Sequence, residues 1–294
     1  MYQLIIIGAG PAGLTAGLFA KRYKINFLLI GQSSESAINQ AHLVKNYPGL
    51  KPTTGPQLIK EFQKYSEAEI KPEQVEKIRQ IDGKSFRVET NKGEYQSQAL
   101  ILAMGMKFRK LDIINEEKFL DKGISYYIPD DIRPFKSKII AVIGGGDTAL
   151  TAALKLAIQA KKVYLIHRRD EFRGAPNLVE EVKKKENIEI VYSSQVTKAQ
   201  GQESLEKITL NNQKELSLNN LFIEIGGIPN VFLCQGLKVK TENNFVVTDK
   251  NQATNLPGLF AAGDITNNPL KLIVTATAQG AAAATSAYNY LKNI

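Results

Sequence analysis

"LIIIGAGPAG" (residues 4–13) sets a run of large apolar residues directly before glycines at 8, 10 and 13. In this G-x-G-x-x-G spacing Gly8 permits a sharp turn and Gly10 lets the backbone approach a pyrophosphate. Gly13 lets the following helix pack on the strand. Pro11 and Ala12 lie at the start of that helix, whose first N–H groups point at the phosphates. The spacing alone is weak evidence, and its setting decides the reading. A strand precedes it, an amphipathic helix over 12–22 follows, and a second strand, "NFLLI" (26–30), comes next. The uncharged run 4–20 therefore reads as strand, turn and helix. Four glycines and a proline would disrupt a membrane-spanning helix, and no basic leader precedes them.

The device occurs twice. "KIIAVIGGGDTALTAALKLA" (138–157) carries Gly144, Gly146 and Ala149 as G-x-G-x-x-A, with Gly145, Asp147 and Thr148 filling the turn. The next strand, "KVYLI" (162–166), ends in "HRRDEFR" (167–173). A site for NAD has an acid about 20 residues after the fingerprint, where it takes the ribose 2′-hydroxyl. Here His167, Arg168, Arg169 and Arg173 stand instead, and guanidinium groups suit a 2′-phosphate. The second site is expected to prefer NADPH over NADH. No arginine ends "NFLLIGQSSE" (26–35), so the first site takes a dinucleotide without a 2′-phosphate, and FAD is the natural candidate. "LPGLFAAGDI" (256–265) adds Gly263 and Asp264, whose carboxylate can accept hydrogen bonds from ribityl hydroxyls. Alone, Gly-Asp after a strand is ordinary turn chemistry.

Composition bounds the remainder. The 294 residues suffice for two domains, and 43% hydrophobic with 23% charged residues is a globular balance. Net charge is +9, spread rather than massed; the densest cluster, "EVKKKE" (181–186), reads as a solvated helix face. No basic stretch interleaved with aromatics argues for nucleic acid. The single cysteine, Cys234, excludes an internal disulfide, a CxxC pair and a cysteine metal site. With only His42 and His167, a histidine metal site is not expected either. The lack of bridges fits a cytoplasmic location.

Two such turns with "GDI" near the end resemble the low-molecular-weight thioredoxin reductase family. The resemblance runs through "GAGPAG", "NYPG" (46–49), "LILAMG" (100–105), "GISYY" (123–127), "VIGGGDTA", "IHRRDEFR", "IEIGGIPN" (223–230) and "PGLFAAGD". It implies an α/β chain of two Rossmann-like three-layer domains. A discontinuous FAD domain, 1–107 with 226–294, is interrupted by an NADPH domain at 112–225, with connections near "FRKLD" and "GGIPN". It implies a homodimer, and hydride transfer from NADPH to the flavin. It extends the FAD set to Asn46, Gly105, Lys271 and Leu272, and the NADPH set to Gly226.

The departures are specific. Where the reductases carry the CxxC pair after "GxSYC", this chain has Tyr127 and Asp130, and neither performs thiol–disulfide exchange. The chain thereby also resembles the thioredoxin-reductase-type ferredoxin/flavodoxin–NADP reductases, an impression that "NPLKLI" (268–273) reinforces. Those reductases, however, generally continue into a C-terminal extension. Both branches carry Gly-Gly-Gln beside the flavin; here Glu35, Ser36 and Ala37 align, and Lys271-Leu272 replace Arg-Gln. The expected activity is NADPH-dependent electron transfer through FAD to a small acidic carrier, ferredoxin or flavodoxin, which the +9 charge would steer. The alternatives are an NADPH oxidase or diaphorase, and a non-catalytic nucleotide-sensing dimer. Tyr127 is the candidate to stack on the flavin, with Tyr126 next.

Overall fold

The computed structural model describes residues 1–294 except His42, Leu43, Lys45 and Asp130, and gives the backbone alone for Glu35, Gln40 and Phe108. Asp130, one of the two positions aligned with the reductase cysteines, thus lies outside the described residues. The chain divides into two compact units, Met1–Lys107 with Ile228–Ile294, and Phe108–Gly227.

The first unit opens with Tyr2–Ile7 (β1), Pro11–Arg22 (α1), Phe27–Ile30 (β2), Gly55–Ser66 (α2), Ile70–Lys71 (β3), Val75–Ile81 (β4), Ser85–Thr90 (β5) and Gly93–Leu102 (β6). The second contains Ile124–Ser125 (β7), Ile139–Ile143 (β8), Asp147–Ala157 (α3), Lys162–Ile166 (β9), Pro176–Lys184 (α4), Ile188–Val191 (β10) and Asn220–Ile223 (β11). The chain then returns to the first unit for Leu259–Ala261 (β12) and Ile273–Leu291 (α5). Both units are α/β with parallel central strands.

In the first unit the sheet order is β3-β2-β1-β6-β5-β4, with β12 also on β6. β6 changes partner along its length: Gly93–Ser97 pair antiparallel with β5, and Leu100–Leu102 pair parallel with β12. β1 needs no polar alternation because both its faces are covered. Leu4 and Ile6 pack with the alanines of α1 and α5, while Ile5 and Ile7 pack with Phe86, Val88 and Leu259. Small residues let the two helices approach closely; a Cβ on Gly280 would stand 2.2 Å from the Ala12 carbonyl oxygen. α2 starts on a reciprocal cap, the Gln57 N–H donating to Thr54 Oγ1 and the Thr54 N–H to Gln57 Oε1.

The second unit is a five-stranded sheet in the order β10-β9-β8-β11-β7, all pairs parallel. A three-stranded antiparallel sheet, Val196–Gln200, Lys207–Leu210 and Glu215–Ser217, is inserted before β11. Ile140 and Val142 face α3 and α4, and Ala141 and Ile143 face the inserted sheet. The two connecting stretches, Met106–Phe108 and Gly227–Pro229, pair as a two-stranded ribbon. The unit boundaries fall inside that ribbon, with residues 108–111, Gly226 and Gly227 in the second unit. No helix among the described residues is long and apolar enough to cross a membrane.

Candidate functional site

In an open parallel sheet, ligands bind outside the carboxyl ends of the strands, where the strand order reverses. In the first unit that point lies between β1 and β6. Gly8 follows β1 at φ +112°, and a Cβ there would stand 2.2 Å from the Ala103 oxygen after β6, so glycine is required twice over. Gly10 caps α1 in extended backbone without any side-chain cap, and Pro11 takes the first helical position. The N–H groups of that first turn are left for a ligand. A Cβ on Gly13 would stand 1.8 Å from the Gly8 oxygen, which is the close helix–strand packing that the motif requires.

Gly105 and Gly263 follow two strands of this sheet, and Lys271 reaches back to the turn after the second. Gly105 follows β6 at φ +60°. Gly263 follows β12 and donates its N–H to Gln279 Oε1 at 2.8 Å. Asp264 is half-buried, which raises its carboxyl pKa while nearby Lys271 pulls the other way. The Lys271 ammonium donates to the backbone oxygens of Asp264 (3.1 Å) and Thr266 (2.6 Å) and lies 4.1 Å from the Phe245 ring centroid. Burial lowers its pKa in turn. Leu272 caps α5, its N–H donating to Thr275 Oγ1 at 3.2 Å. Asn46 is exposed. Ser36, aligned with the second residue of the family's Gly-Gly-Gln, places its hydroxyl 3.0 Å from where a Gly10 Cβ would stand.

The second unit builds its turn between β8 and β11. Its helix α3 is capped by extended Gly146, again without a side-chain cap, and a Cβ on Gly146 would meet nothing within 4 Å. Gly145 is fixed by close approach: the His167 ring lies across it, 2.2 Å from where a Cβ would be. The arginine loop is fastened to this turn. The N–H groups of Arg173 (2.7 Å) and Gly174 (3.1 Å) donate to the Gly145 oxygen, and that of Ala175 donates to Asp147 Oδ1 at 2.7 Å. Asp147, expected at the nucleotide, thus spends one carboxylate oxygen on the loop. Thr148, Arg168, Arg169 and Arg173 are exposed, and Gly226 stands at φ +78°. His167 is buried with Nε2 unpartnered. Burial first, then Arg169 and Arg173, push its pKa below the ordinary value, which holds it neutral.

Residue 224 carried no expectation. Glu224 ends β11 with its N–H donating to the Ile143 oxygen at 2.8 Å, and burial lifts its carboxyl to about 7. The only hint in the sequence was an acid inside the apolar "LFIEIGG".

The two tyrosines of "GISYY" part company. Tyr126 packs into the core of the second unit; its hydroxyl donates to buried Glu116 and accepts the Leu111 N–H at 2.8 Å. Burial and Glu116 raise its pKa, so this ring is a structural strut and the second stacking candidate is withdrawn. Tyr127 is 36% exposed, with the Ser125 hydroxyl bonding both its N–H and its carbonyl. Cys234 is 4% exposed between Leu233 and Leu237, and burial pushes its thiol up to about 11. It is a small core residue.

The model of the pyridine nucleotide-disulphide oxidoreductase family matches residues 2–280. The chain is 34% identical to a thioredoxin reductase of Peptoclostridium acidaminophilum, over 99% of this chain and 98% of that one. Among solved structures it is similar to the thioredoxin reductase of Streptococcus pyogenes, with TM-score 0.87, 30% identity, and coverage of 100% and 99%. It is also similar to a ferredoxin-flavin thioredoxin reductase of Clostridium acetobutylicum, with TM-score 0.55, 29% identity, and coverage of 100% and 99%. Relatives of the thioredoxin reductase family use FAD and NADPH.

Proposed function

The chain belongs to the pyridine nucleotide-disulphide oxidoreductase family as a thioredoxin reductase-like flavoprotein, and we propose that it oxidises NADPH and reduces a separate acceptor without a thiol pair of its own. The observation that carries this reading is the cysteine inventory. One thiol, buried and held protonated, can neither form an internal disulfide nor attack one.

The residues present fit both cofactors. Gly8, Gly10, Pro11, Ala12 and Gly13 offer an FAD pyrophosphate a glycine turn and the open end of α1. Asp264 offers ribityl hydroxyls a half-buried carboxyl with no hydrogen-bond partner among the described residues. Asn46, Gly105, Gly263, Lys271 and Leu272 complete that set. FAD, when bound, supplies two-electron acceptance and the release of electrons singly or in pairs. Gly144, Gly145, Gly146, Asp147, Thr148, His167 and Gly226 would hold NADPH. Arg168, Arg169 and Arg173 would select it, because exposed guanidinium groups without carboxylate partners among the described residues match a 2′-phosphate. Tyr127, the more exposed tyrosine, is the residue assigned to shield the flavin.

The acceptor is proposed to be a small acidic carrier of the ferredoxin or flavodoxin kind, supported by the net charge of +9. The clostridial neighbour, a ferredoxin-flavin thioredoxin reductase by name, pairs ferredoxin with a flavin reductase of this fold that acts on thioredoxin. The protein is proposed to act as a homodimer in the cytoplasm. Anaerobic NADPH should bleach the yellow protein, and ferredoxin or flavodoxin should restore its colour. Insulin reduction through thioredoxin should be absent. Robust thioredoxin reduction would overturn the reading.

A further inference from the structure

A half-buried acid sits at the end of the second unit where a nucleotide's phosphates are proposed to bind. In the strand order β10-β9-β8-β11-β7 the chain leaves β8 toward β9 and later returns to the opposite side of β8 as β11. The reversal therefore lies between β8 and β11, and Gly144 and Glu224 are the first residues beyond those strands. They touch: a Cβ on Gly144 would stand 2.4 Å from the Glu224 carbonyl oxygen. Side chains alternate along β11. Leu221 and Ile223 face the inserted sheet, and Phe222 faces α3. Carried one residue further, the alternation puts Glu224 on the α3 face, at the end where α3 presents its uncapped N–H groups.

Resting on the reading of this unit as a pyridine-nucleotide site, we propose that Glu224 couples nucleotide binding to the uptake of one proton. The physical reason is competition. An ionised carboxylate beside the turn draws on the same helix N-terminus as a pyrophosphate and repels it. A protonated one does neither, and can donate a hydrogen bond to a phosphate oxygen. The titratable groups on the surrounding elements do not alter this. They are Tyr126 after β7, with Glu116 on its hydroxyl; Asp147 in the first turn of α3; His167 and the arginines after β9; and Arg109, whose N–H donates to the Gly226 oxygen at 3.2 Å. None contributes to the raised pKa of Glu224, whose sole cause is burial. Neutral His167 and a nucleotide 2′-phosphate with its second pKa near 6 have both finished titrating above about pH 7. Above neutrality, Glu224 is the group left to take up the proton.

The test is calorimetric titration of the whole protein with NADP⁺ in buffers of different ionisation enthalpy, from about pH 5.5 to about pH 8.5. Wild type should take up close to one proton near the upper limit and none from this carboxyl at the lower. Its affinity should fall by up to about tenfold per pH unit above 7. Glu224→Gln should bind at least as tightly and lose the uptake. The wild-type profile stands as a test even if the variant folds poorly. Equal uptake in both proteins, or none in wild type, overturns this inference and leaves the nucleotide site standing. Failure of NADP⁺ to bind either protein overturns both.

Discussion

A methyl group on Gly10 would lie 3.0 Å from the Ser36 hydroxyl; on Gly146 it would meet nothing within 4 Å. The two turns share a spacing and a helix opened by an uncapped extended glycine, and differ in the charge around them. In the first unit the charged neighbours are muted by burial, Asp264 toward its protonated form and Lys271 toward its neutral one, with the lysine capped on two carbonyls. In the second, Arg168, Arg169 and Arg173 stand exposed on a loop stitched to the turn by backbone hydrogen bonds. Recognition in the first unit therefore rests on shape and backbone dipoles, and in the second on net charge that salt can screen.

The largest effect should come from removing that charge. Arg168→Ala with Arg169→Ala removes contacts worth about 1.5–3 kcal/mol each, so NADP⁺ affinity should fall by about 10²–10⁴-fold. Binding of NAD⁺, which lacks the 2′-phosphate, should stay within about twofold. Equal losses for both would erase the contrast. Next, the glycines themselves can be compared. Gly8→Ala forces a methyl into the Ala103 carbonyl at positive φ and should destabilise the first unit by about 3 kcal/mol or more. Gly146→Ala should leave the melting temperature nearly unchanged and weaken NADP⁺ binding alone. Matching melting curves for the two variants would break the distinction.

A smaller effect concerns flavin retention. Without Gly-Gly-Gln, and with Ser36 at the turn, part of the purified protein should lack FAD. Added FAD at about 100 times its Kd should restore colour and stabilise the protein by about 2.7 kcal/mol. No thermal shift at saturation would remove FAD from the proposal. The smallest concerns Tyr126→Phe, which takes a buried hydroxyl from Glu116 and the Leu111 N–H. It should cost about 1–3 kcal/mol in denaturant melts and leave the flavin spectrum unchanged. A shifted spectrum would return Tyr126 to the flavin.

What was legible was local. Apolar strands ending in glycine, helices opened by Gly-Pro or Gly-Asp, and arginines after β9 all lie within short windows, where spacing and residue chemistry decide. What was not legible depended on burial by distant segments. Glu224 looks in sequence like any acid near a strand end, and only the sheet order puts it beside Gly144. Asp147 read as a ligand because its partner, the Ala175 N–H, is 28 positions away. The adjacent tyrosines differed in sequence only by Tyr127's place at a reductase cysteine position; that Tyr126 meets Glu116 is seen only in the fold. The pairing of Met106–Phe108 with Gly227–Pro229 is likewise invisible in either segment alone.

The packing of α5 against α1 has a consequence for how the chain is made. β1, the first glycine turn and α1 leave the ribosome before the second unit, yet β12 and Gly280, which completes the contact with Ala12, come after it. At about 5–20 residues per second the delay is on the order of tens of seconds. Throughout it the edge of β6 that awaits β12 is unpaired. The whole second unit emerges within that interval and has all the strands of its sheet in hand. The turn that is translated first is therefore finished last, and a message truncated before α5 should yield a folded second unit tethered to an unfinished first, the species a chaperone would meet.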